Sequence, residues 1–366
     1  MDFTEPEKQH QQSPPKGEYL KGRGAQFNPA NPYLKSEYVT EHMEGLDEAW
    51  VQPVQTEFFS EHPKKIVNEV TSPDLGLSYS MNPYQGCEHG CIYCYARNTH
   101  AYWGLGAGLD FERKIIIKEN APQVLRKQLE NPNWVVRPIM LSGNTDCYQP
   151  IEAKKKITRQ LLEVLLQYRH PVSVITKNAL ILRDLDLLQE LHKNSLVHVN
   201  ISITTLQESL RQKLEPRTAT GARRLNVVKT LAEAGVPVNV MVAPIIPGLN
   251  DHEVPAILEA SAAAGALSAA YTIVRLNGAI GQVFEDWIET HYPDRAAKVL
   301  NQIKACHGGV LNDSQFGRRM TGEGKWAETI RSLFKVSYLK HFKGRTMPPY
   351  DFTAFTPRSG KQLTMF

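Results

Sequence analysis

Short apolar runs rich in β-branched residues recur along the chain from about residue 73, and segments of helical period lie between most of them. The runs that predict strands are 114–117, 138–141, 172–176, 197–203, 237–243 and 269–274. The segments that predict amphipathic helices are 153–168, 183–193, 219–234 and 251–264. This alternation indicates an α/β fold with a parallel sheet and right-handed crossovers. The pattern alone leaves open a partial barrel, a complete TIM barrel and a doubly wound sheet.

The two ends of the chain differ in pattern from this central part. Residues 1–35 are rich in Gln, Pro, Gly, Asn and Lys without periodic apolar positions, which indicates an arm that is flexible or held on the surface. Near the other end, residues 325–342 predict an amphipathic helix. The predicted units are therefore an N-terminal arm and lead-in over 1–72, a barrel over 73–278 and a C-terminal helical extension over 279–366.

Composition restricts the class of protein. Hydrophobic residues make up 42% of the 366 and charged residues 22%, which is ordinary for a globular protein. No apolar run approaches the roughly 18–20 residues of a membrane span, and the N-terminus has no apolar signal region. Five cysteines in so long a chain favour a reducing compartment over a disulfide scaffold. We therefore expect a cytoplasmic protein that does not associate with membranes.

Three of the five cysteines, Cys87, Cys91 and Cys94, have the spacing C-x3-C-x2-C. Thiolates this close in sequence cannot all pair as disulfides, but they can bind one soft metal centre. A [4Fe–4S] cluster usually takes four cysteines, so three leave either a distant fourth ligand or an iron open to another molecule. A structural zinc site stays possible as well, and its fourth ligand would come from His89, Cys147 or Cys306.

The residues around this motif resemble a known family. Tyr93 lies directly before the third cysteine, and the motif is flanked by Asn82–Gly86 and by Tyr95–Arg97. This string resembles the radical S-adenosylmethionine (SAM) superfamily, and within it the branch of spore photoproduct lyase and an uncharacterised bacterial group related to it. The resemblance implies a partial (β/α)6 barrel in which the three thiolates hold a [4Fe–4S] cluster and SAM chelates the fourth iron.

The resemblance also implies an activity. Reductive cleavage of SAM would yield methionine and a 5′-deoxyadenosyl radical that abstracts a hydrogen atom from the substrate. The electron would come from a donor such as a flavodoxin or a ferredoxin. Tyr93 is expected beside the adenine or the cluster, and Tyr95 in a hydrogen-transfer relay. Gly143 stands where the lyase has a hydrogen-donating cysteine, with Cys147 four residues further on, so we do not predict thymine-dimer repair.

In β/α barrels the functional loops follow the carboxyl ends of the strands. After the strand at 138–141, the resemblance places the SAM amino group, and Ser142, Thr145 and Asp146 supply hydroxyl and carboxylate acceptors for an ammonium. The alternative is an Asn/Asp/Gly turn that caps the next helix. After the strand at 172–176, Lys177 is placed to neutralise the SAM carboxylate.

After the strand at 197–203, the resemblance gives Ser202 a contact with SAM. Glu215 could accept hydrogen bonds from the ribose hydroxyls, and Arg217 could pair with a carboxylate. Two alternatives stay open: Glu215 and Arg217 could pair with each other in a surface loop, and Arg223 and Arg224 could lie on an exposed helix face.

The C-terminal part suggests partners. Residues 318–345 hold eight Lys and Arg against two Glu, with four aromatics between them, as expected for nucleic-acid contact. The alternative is a helix whose apolar face covers the barrel while its cations are solvated. The terminal Gln362–Phe366 resembles the peptide with which bacterial repair proteins bind the sliding clamp, although it could instead pack on the domain. The leading function is a radical SAM enzyme acting on nucleic acid; the alternatives are action on a peptide or small metabolite, and a non-catalytic metal-binding interaction module.

Overall fold

The computed structural model describes residues 19–33 and 55–357, which form ten strands, eleven α-helices and three 3-10 helices. The strands are β1 Glu57–Glu61, β2 Val67–Glu69, β3 Tyr79–Met81, β4 Tyr84–Gln85, β5 Lys114–Lys118, β6 Ile139–Leu141, β7 Val172–Thr176, β8 Val197–Ser202, β9 Val238–Ile245 and β10 Ser268–Ile273. The α-helices are α1 Leu109–Arg113, α2 Ala121–Leu129, α3 Glu152–Lys155, α4 Ile157–Gln167, α5 Leu185–Lys193, α6 Glu208–Leu214, α7 Gly221–Glu233, α8 Val254–Ala263, α9 Ile280–His291, α10 Pro293–Cys306 and α11 Gly324–His341. The 3-10 helices are Tyr95–Trp103, Ala179–Asp184 and Asp251–Glu253.

Six parallel strands form the centre of the fold in the order β10-β9-β8-β7-β6-β3, and β2 joins β3 antiparallel at one edge. The two edge strands of this sheet, β10 and β2, do not pair with each other within the described ranges. Six parallel strands with crossover helices and an open seam make a partial (β/α)6 barrel. The expected fold class is therefore confirmed.

The four predicted crossover helices are present as α4, α5, α7 and α8. Along β7 and β8 buried residues alternate with half-buried ones, since one face of the sheet packs on the helices and the other lines the barrel interior. The buried valines, leucines and isoleucines of strands and helices make one continuous core.

The apolar run at 114–117 forms a strand that lies outside the barrel. As β5 it pairs with β1 in parallel and with β4 antiparallel in a separate three-stranded sheet. The first barrel strand is instead β3, which has three residues and only one of them buried. Such a short strand has too few positions for a periodic pattern, so the hydrophobic run at 114–117 was the stronger signal.

The C-terminal extension contains the predicted amphipathic helix as α11. Phe334 and Phe342 are buried, and Phe334 packs on Tyr271 of β10 with ring centroids 4.6 Å apart. The apolar face of α11 thus covers the barrel, as the structural alternative for this segment predicted. Gln362–Phe366 lies outside the residues that the structure describes. None of the helices described is both long and apolar enough to cross a membrane.

Candidate active site

The cysteine loop follows β4 and leads into the 3-10 helix Tyr95–Trp103. Cys87 and Cys91 are buried, Cys94 is half-buried, and all three thiols are free of disulfide bonds. The Cys87 N–H donates to the carbonyl of Phe111 at 2.8 Å, and Ile92 N–H donates to the carbonyl of Leu214 at 3.1 Å. The loop is therefore anchored by backbone bonds to two other parts of the fold.

Glycines allow the tight path of this loop. Gly86 and Gly90 have φ of +78° and +67°, in the left-handed region that favours glycine. A Cβ on Gly90 would also lie 2.8 Å from a carboxylate oxygen of Glu112. On the far side of the loop, the Gln149 side chain accepts from Glu88 N–H at 2.9 Å and donates to Gly86 carbonyl at 3.1 Å.

Residues 22–25 of the N-terminal arm pack directly on the cysteine loop. The N–H groups of Gly24 and Ala25 donate to the buried Glu112 carboxylate at 3.0 and 2.8 Å. Arg97 pairs with the same carboxylate and donates from Nε to the carbonyl of Cys91 at 2.9 Å. A Cβ on Gly24 would overlap the Gly90 carbonyl oxygen. Residues 22–25 therefore help to hold the cysteine loop in its conformation.

The surroundings of the three thiols fit a metal cluster better than free thiolates. Burial is the main cause that raises the pKa of all three, and nearby carboxylates add to it at Cys87 and Cys91. A bound cation reverses this by stabilising the thiolates. In the described ranges no three His, Cys, Asp or Glu side chains surround a single-ion position. A [4Fe–4S] cluster binds its cysteines through separate irons, so its ligands need not converge on one point.

Asp146 lies at the carboxyl ends of β6 and β7, where its carboxylate binds several protein groups. It accepts from Thr176 Oγ1 at 2.7 Å and from Lys177 N–H at 2.8 Å, and it lies 3.3 Å from His89 Nδ1. Burial acts to raise the pKa of Asp146, but His89 and these hydrogen bonds outweigh it and hold the pKa at about 2. Asp146 also accepts from Tyr148 N–H, which is the turn geometry of the alternative interpretation.

The two hydroxyls of the same loop also have protein partners. Ser142 Oγ accepts from Cys147 N–H at 2.7 Å, and Ser142 has a φ of +76°. Thr145 Oγ1 donates to the carbonyl of Tyr84. These bonds shape the loop after β6.

Tyr95 lies at the open part of the site. Its phenol donates to the carbonyl of Gly143, and its side chain is 56% exposed. A tyrosine hydroxyl ordinarily has a pKa near 10, so it keeps its hydrogen at neutral pH. A Cβ on Gly143 would overlap the hydroxyl of Ser80. A side chain at position 143 therefore requires Ser80 to move or change.

Glu215 is buried beneath the site and is bonded through both carboxylate oxygens. It accepts from Tyr93 and from Thr204 Oγ1, the latter at 2.7 Å, and pairs with Arg224. Burial would raise its pKa, yet the cations Arg224 and Lys177 hold it at about 2. The alternative in which Glu215 pairs with Arg217 in a surface loop is wrong.

Arg224 is buried, whereas its neighbour Arg223 is exposed. From the first turn of α7 its guanidinium donates to the carbonyls of Ser202 and Ala219 at 3.0 and 2.9 Å. The alternative of an exposed helix face therefore holds for Arg223 only. Helical spacing did not predict this because the first turn of α7 packs onto the carboxyl end of β8.

Lys177 extends over the cysteine loop from the carboxyl end of β7. Its Nζ lies 5.8 Å from the ring centroid of Tyr93. Burial acts to lower the pKa of Lys177, but the neighbouring Cys91 and Glu215 outweigh it and raise the pKa. The ammonium is therefore charged and half-buried, in a position where an anionic group can reach it.

Arg217 and Ser202 lie at the margin of this group. Arg217 donates from Nε to the carbonyl of Gly22 at 3.2 Å, so its side chain is directed to the N-terminal arm. Ser202 is buried at the end of β8, and its carbonyl accepts from Arg224. The structure thus brings together the cysteines, Tyr93, Tyr95, Asp146, Lys177 and Glu215. Sequence reasoning missed Glu112, a single charged residue without motif spacing, and it gave Arg97 and Arg224 no role in the site.

Comparison with known proteins decides the family. The sequence profile of the radical SAM superfamily matches residues 81–260, which include all three cysteines and the loops after β6, β7, β8 and β9. The chain belongs to the radical SAM superfamily. An uncharacterised protein of Mycobacterium tuberculosis is 32% identical over 238 residues, 64% of this chain and 70% of that protein. An uncharacterised protein of Methanocaldococcus jannaschii is 30% identical over 65% of this chain and 85% of that protein.

Solved structures place this radical SAM chain near spore photoproduct lyase in fold. The lyase complexed with dinucleoside spore photoproduct has a TM-score of 0.56 at 16% identity, over 78% of this chain and 80% of that chain. A variant of the lyase with bound AdoMet and dinucleoside spore photoproduct gives 0.55 at 17% identity, over 78% and 79%. At this identity the likeness concerns the fold.

Proposed function

We propose that this radical SAM protein is an enzyme that cleaves SAM reductively at a [4Fe–4S] cluster and directs the resulting radical to a nucleic acid. The observation that supports it most is the placement of three free thiols in one anchored loop, with the Lys177 ammonium above that loop and the Tyr95 phenol beside it. A cation, a hydrogen-bearing phenol and a cluster-binding loop are the groups that this chemistry requires.

Cys87, Cys91 and Cys94 would hold the cluster, and the proposed ligand at the remaining iron is SAM. Once reduced by an outside electron donor, the bound cluster would supply one electron to the C5′–S bond of SAM, and that bond would break to give methionine and a 5′-deoxyadenosyl radical. Lys177 neutralises the SAM carboxylate, because its ammonium is charged and half-buried. Other contacts with SAM remain predictions for Ser142, Thr145, Asp146, Ser202, Glu215 and Arg217.

In this proposal the pair of Glu215 and Arg224 holds the Tyr93 ring in place. Glu215 holds the Tyr93 hydroxyl, so the ring stays fixed between Lys177 and the cysteine loop. A fixed aromatic wall orients the bound cofactor and excludes water from the radical. We assign Tyr93 to positioning, and Tyr95 to transfer of its hydroxyl hydrogen atom to a substrate radical, since its phenol faces the open part of the site.

The nucleic-acid part of the proposal draws support from two sources. The chain shares its fold with spore photoproduct lyase, whose solved structures hold a dinucleoside. The outer face of α11 also presents exposed cations, among them Lys325, Arg331 and Lys335. Because Ser80 fills the space beside Gly143, we do not assign repair of the spore photoproduct itself.

A peptide or a small metabolite remains the second candidate substrate. The observation in its favour is the burial of Phe334 and Phe342, which makes α11 first of all a helix that covers the barrel. In that case its cations would be a solvated face. Binding of labelled DNA and RNA at two salt concentrations separates the candidates, because phosphate contacts weaken steeply as salt rises.

The activity itself is tested on anaerobically purified protein. We expect about four irons per chain, and 5′-deoxyadenosine after addition of SAM and dithionite. Stoichiometric zinc without iron would contradict the proposal and favour a non-catalytic metal-binding module. An electron carrier such as a flavodoxin or ferredoxin should replace dithionite. Clamp binding through Gln362–Phe366 is tested by pull-down with and without these residues.

A further inference from the structure

A buried ion pair adjoins the cysteine loop. Arg97 and Glu112 are both 0% exposed, and their side chains bind each other. Arg97 belongs to the 3-10 helix that follows Cys94, and Glu112 belongs to α1. Buried charges are costly unless partners bind them, and charges next to a metal site also change the properties of the metal.

The guanidinium of Arg97 is bonded through all three of its nitrogens. Its Nε donates to the carbonyl of Cys91 at 2.9 Å, so it bonds the cysteine loop directly. Its Nη1 donates to the carbonyl of Gly108 at 2.9 Å, and its Nη2 donates to the Glu112 carboxylate. These bonds fix the cation in one position beside the loop.

An aromatic ring contacts both this cation and the thiols. Phe111 is 1% exposed and packs with Cys87 and Cys94 in one apolar cluster. The guanidinium carbon of Arg97 lies 5.2 Å from the centroid of the same ring. The surroundings are therefore apolar and closed to solvent, so the field of the cation is screened much less than it would be in water.

Glu112 links the cation to the N-terminal arm. Its carboxylate oxygens accept from the N–H groups of Gly24 and Ala25 at 3.0 and 2.8 Å. The same carboxylate lies against the loop, since a Cβ on Gly90 would be 2.8 Å from its Oε2. Both charges of the pair therefore lie close enough to the loop to act on a cluster that the cysteines hold, and they act with opposite signs.

Reduction adds one negative charge to an iron–sulfur cluster. A fixed cation nearby stabilises the reduced form and raises the reduction potential, whereas a fixed carboxylate lowers it. A unit charge about 10 Å away in a protein interior changes a one-electron equilibrium by roughly tenfold. A tenfold change corresponds to about 59 mV.

We propose that Arg97 raises the reduction potential of the cluster, so that an outside electron donor can reduce it, and that Glu112 holds Arg97 in position. This inference rests on the proposed function and adds to it a residue that controls how readily the cluster accepts its electron. Glu112 is a positioning residue in this scheme. Because its carboxylate is bonded to Gly24 and Ala25, the N-terminal arm takes part in setting the potential.

The test is a potentiometric titration of the full, cluster-loaded chain without SAM, followed by the electron paramagnetic resonance signal of the reduced cluster. Arg97→Met and Glu112→Gln break the same ion pair from its two sides. Arg97→Met should shift the ratio of reduced to oxidised cluster roughly tenfold toward the oxidised form, and Glu112→Gln should shift it by a similar factor toward the reduced form. A pair with a structural role alone would not produce shifts of opposite sign.

Two further variants are controls. Arg97→Lys keeps the charge and should retain most of the parent potential. Arg345→Met removes another half-buried cation, which donates to the carbonyls of Ala262 and Ala266 at the amino end of the barrel, and should leave the potential unchanged. Iron content and far-UV circular dichroism show which variants are loaded and folded.

Each outcome bears on one claim. Shifts in the same direction in Arg97→Met and Glu112→Gln, or no shift in either, would overturn the role of Arg97 while the proposed enzyme stands. If Arg97→Met retains no cluster, Glu112→Gln decides alone, and a potential equal to or below that of the parent protein would overturn the inference. A parent protein that holds no iron would contradict the proposed function instead.

Discussion

The two ends of the barrel differ in how they satisfy their polar groups. At the carboxyl ends of the strands, charged groups lie close together: Lys177 above Tyr93, Glu215 against Arg224, and Asp146 against His89. At the amino ends, uncharged rings fill the space. His170 accepts from Trp134 Nε1 at 3.1 Å and packs edge-on against Phe355, and His198 stacks on Tyr350 with centroids 3.9 Å apart.

The C-terminal segment closes the amino end. Asp351 N–H donates to the carbonyl of Ser195 at 3.0 Å, and Thr356 N–H donates to the carbonyl of Tyr168 at 3.0 Å. Arg345 fixes the start of this segment by donating to two carbonyls at the end of α8, each at 2.8 Å. The C-terminal segment therefore packs over the amino ends of the strands.

The same strands therefore carry the charged groups of the candidate site at their carboxyl ends and the packing that stabilises the fold at their amino ends. The charged groups at the carboxyl ends are costly to bury and are bound so that one cation, Lys177, still faces the open site. The neutral histidines at the amino ends contribute packing without charge. Barrel enzymes in general place reactive groups at the carboxyl ends and stability at the amino ends. The variants below act on one end at a time.

The largest expected effect is at the cysteine loop. Cys91→Ser should abolish 5′-deoxyadenosine formation and reduce the iron content, because it removes one of the three proposed thiolate ligands. The control is Cys147→Ala: Cys147 is buried and its backbone N–H bonds Ser142, so its side chain is not needed for SAM cleavage. Full activity in Cys91→Ser, or none in Cys147→Ala, would show that the ligands are assigned wrongly.

The second-largest expected effect comes from the buried ion pair of Glu215 and Arg224 at the carboxyl end of the barrel. Glu215→Ala should lower the free energy of unfolding by about 3–5 kcal/mol, because Arg224 would remain buried without a counter-charge. Urea unfolding followed by circular dichroism measures this. Asp186→Ala is the control, since Asp186 pairs with Arg159 at the surface and its loss should cost about 1 kcal/mol or less. Similar losses in both variants would contradict the assignment of Glu215 as a buried support.

The third expected effect is a loss of folding stability in acid, caused by His170 at the amino end of the barrel. Burial lowers the pKa of His170 to about 4, against an ordinary value near 6.5. The folded state therefore binds its proton less readily than the unfolded state, so stability is complete above pH 6.5 and falls as the pH drops toward 4. The loss is up to about 3 kcal/mol. His170→Phe should remove this part of the pH dependence, and an unchanged profile in the variant would refute it.

The smallest of these effects concerns cofactor affinity. Lys177→Met should weaken SAM binding by about 10- to 140-fold, the cost of one charge-assisted contact. Isothermal titration with the cluster-loaded protein measures it, and Lys335→Met on the exposed face of α11 serves as the matched control. Equal affinity in the two variants would place the SAM carboxylate elsewhere.

The comparison of the two ends also shows what the sequence could predict. Local spacing predicted the cysteine loop, and strand–helix alternation predicted an α/β fold with a parallel sheet. The partial barrel was predicted from the family resemblance and not from the alternation. Glu112 bonds Gly24 across 88 positions, and Glu215 meets Arg224 only because α7 folds back on β8. Such pairs depend on tertiary packing, which has no local signal. For the same reason the hydrogen bond from Arg217 Nε to the carbonyl of Gly22 in the arm could not be predicted.

The electron paramagnetic resonance spectrum of the reduced, anaerobically prepared protein tests the central claim most directly. The claim is that three thiolates hold a cluster whose remaining iron binds SAM at the carboxyl end of the barrel. We predict the signal of a reduced [4Fe–4S] cluster that changes shape when SAM is added, and no such signal in Cys91→Ser. A spectrum that SAM leaves unchanged would contradict the account.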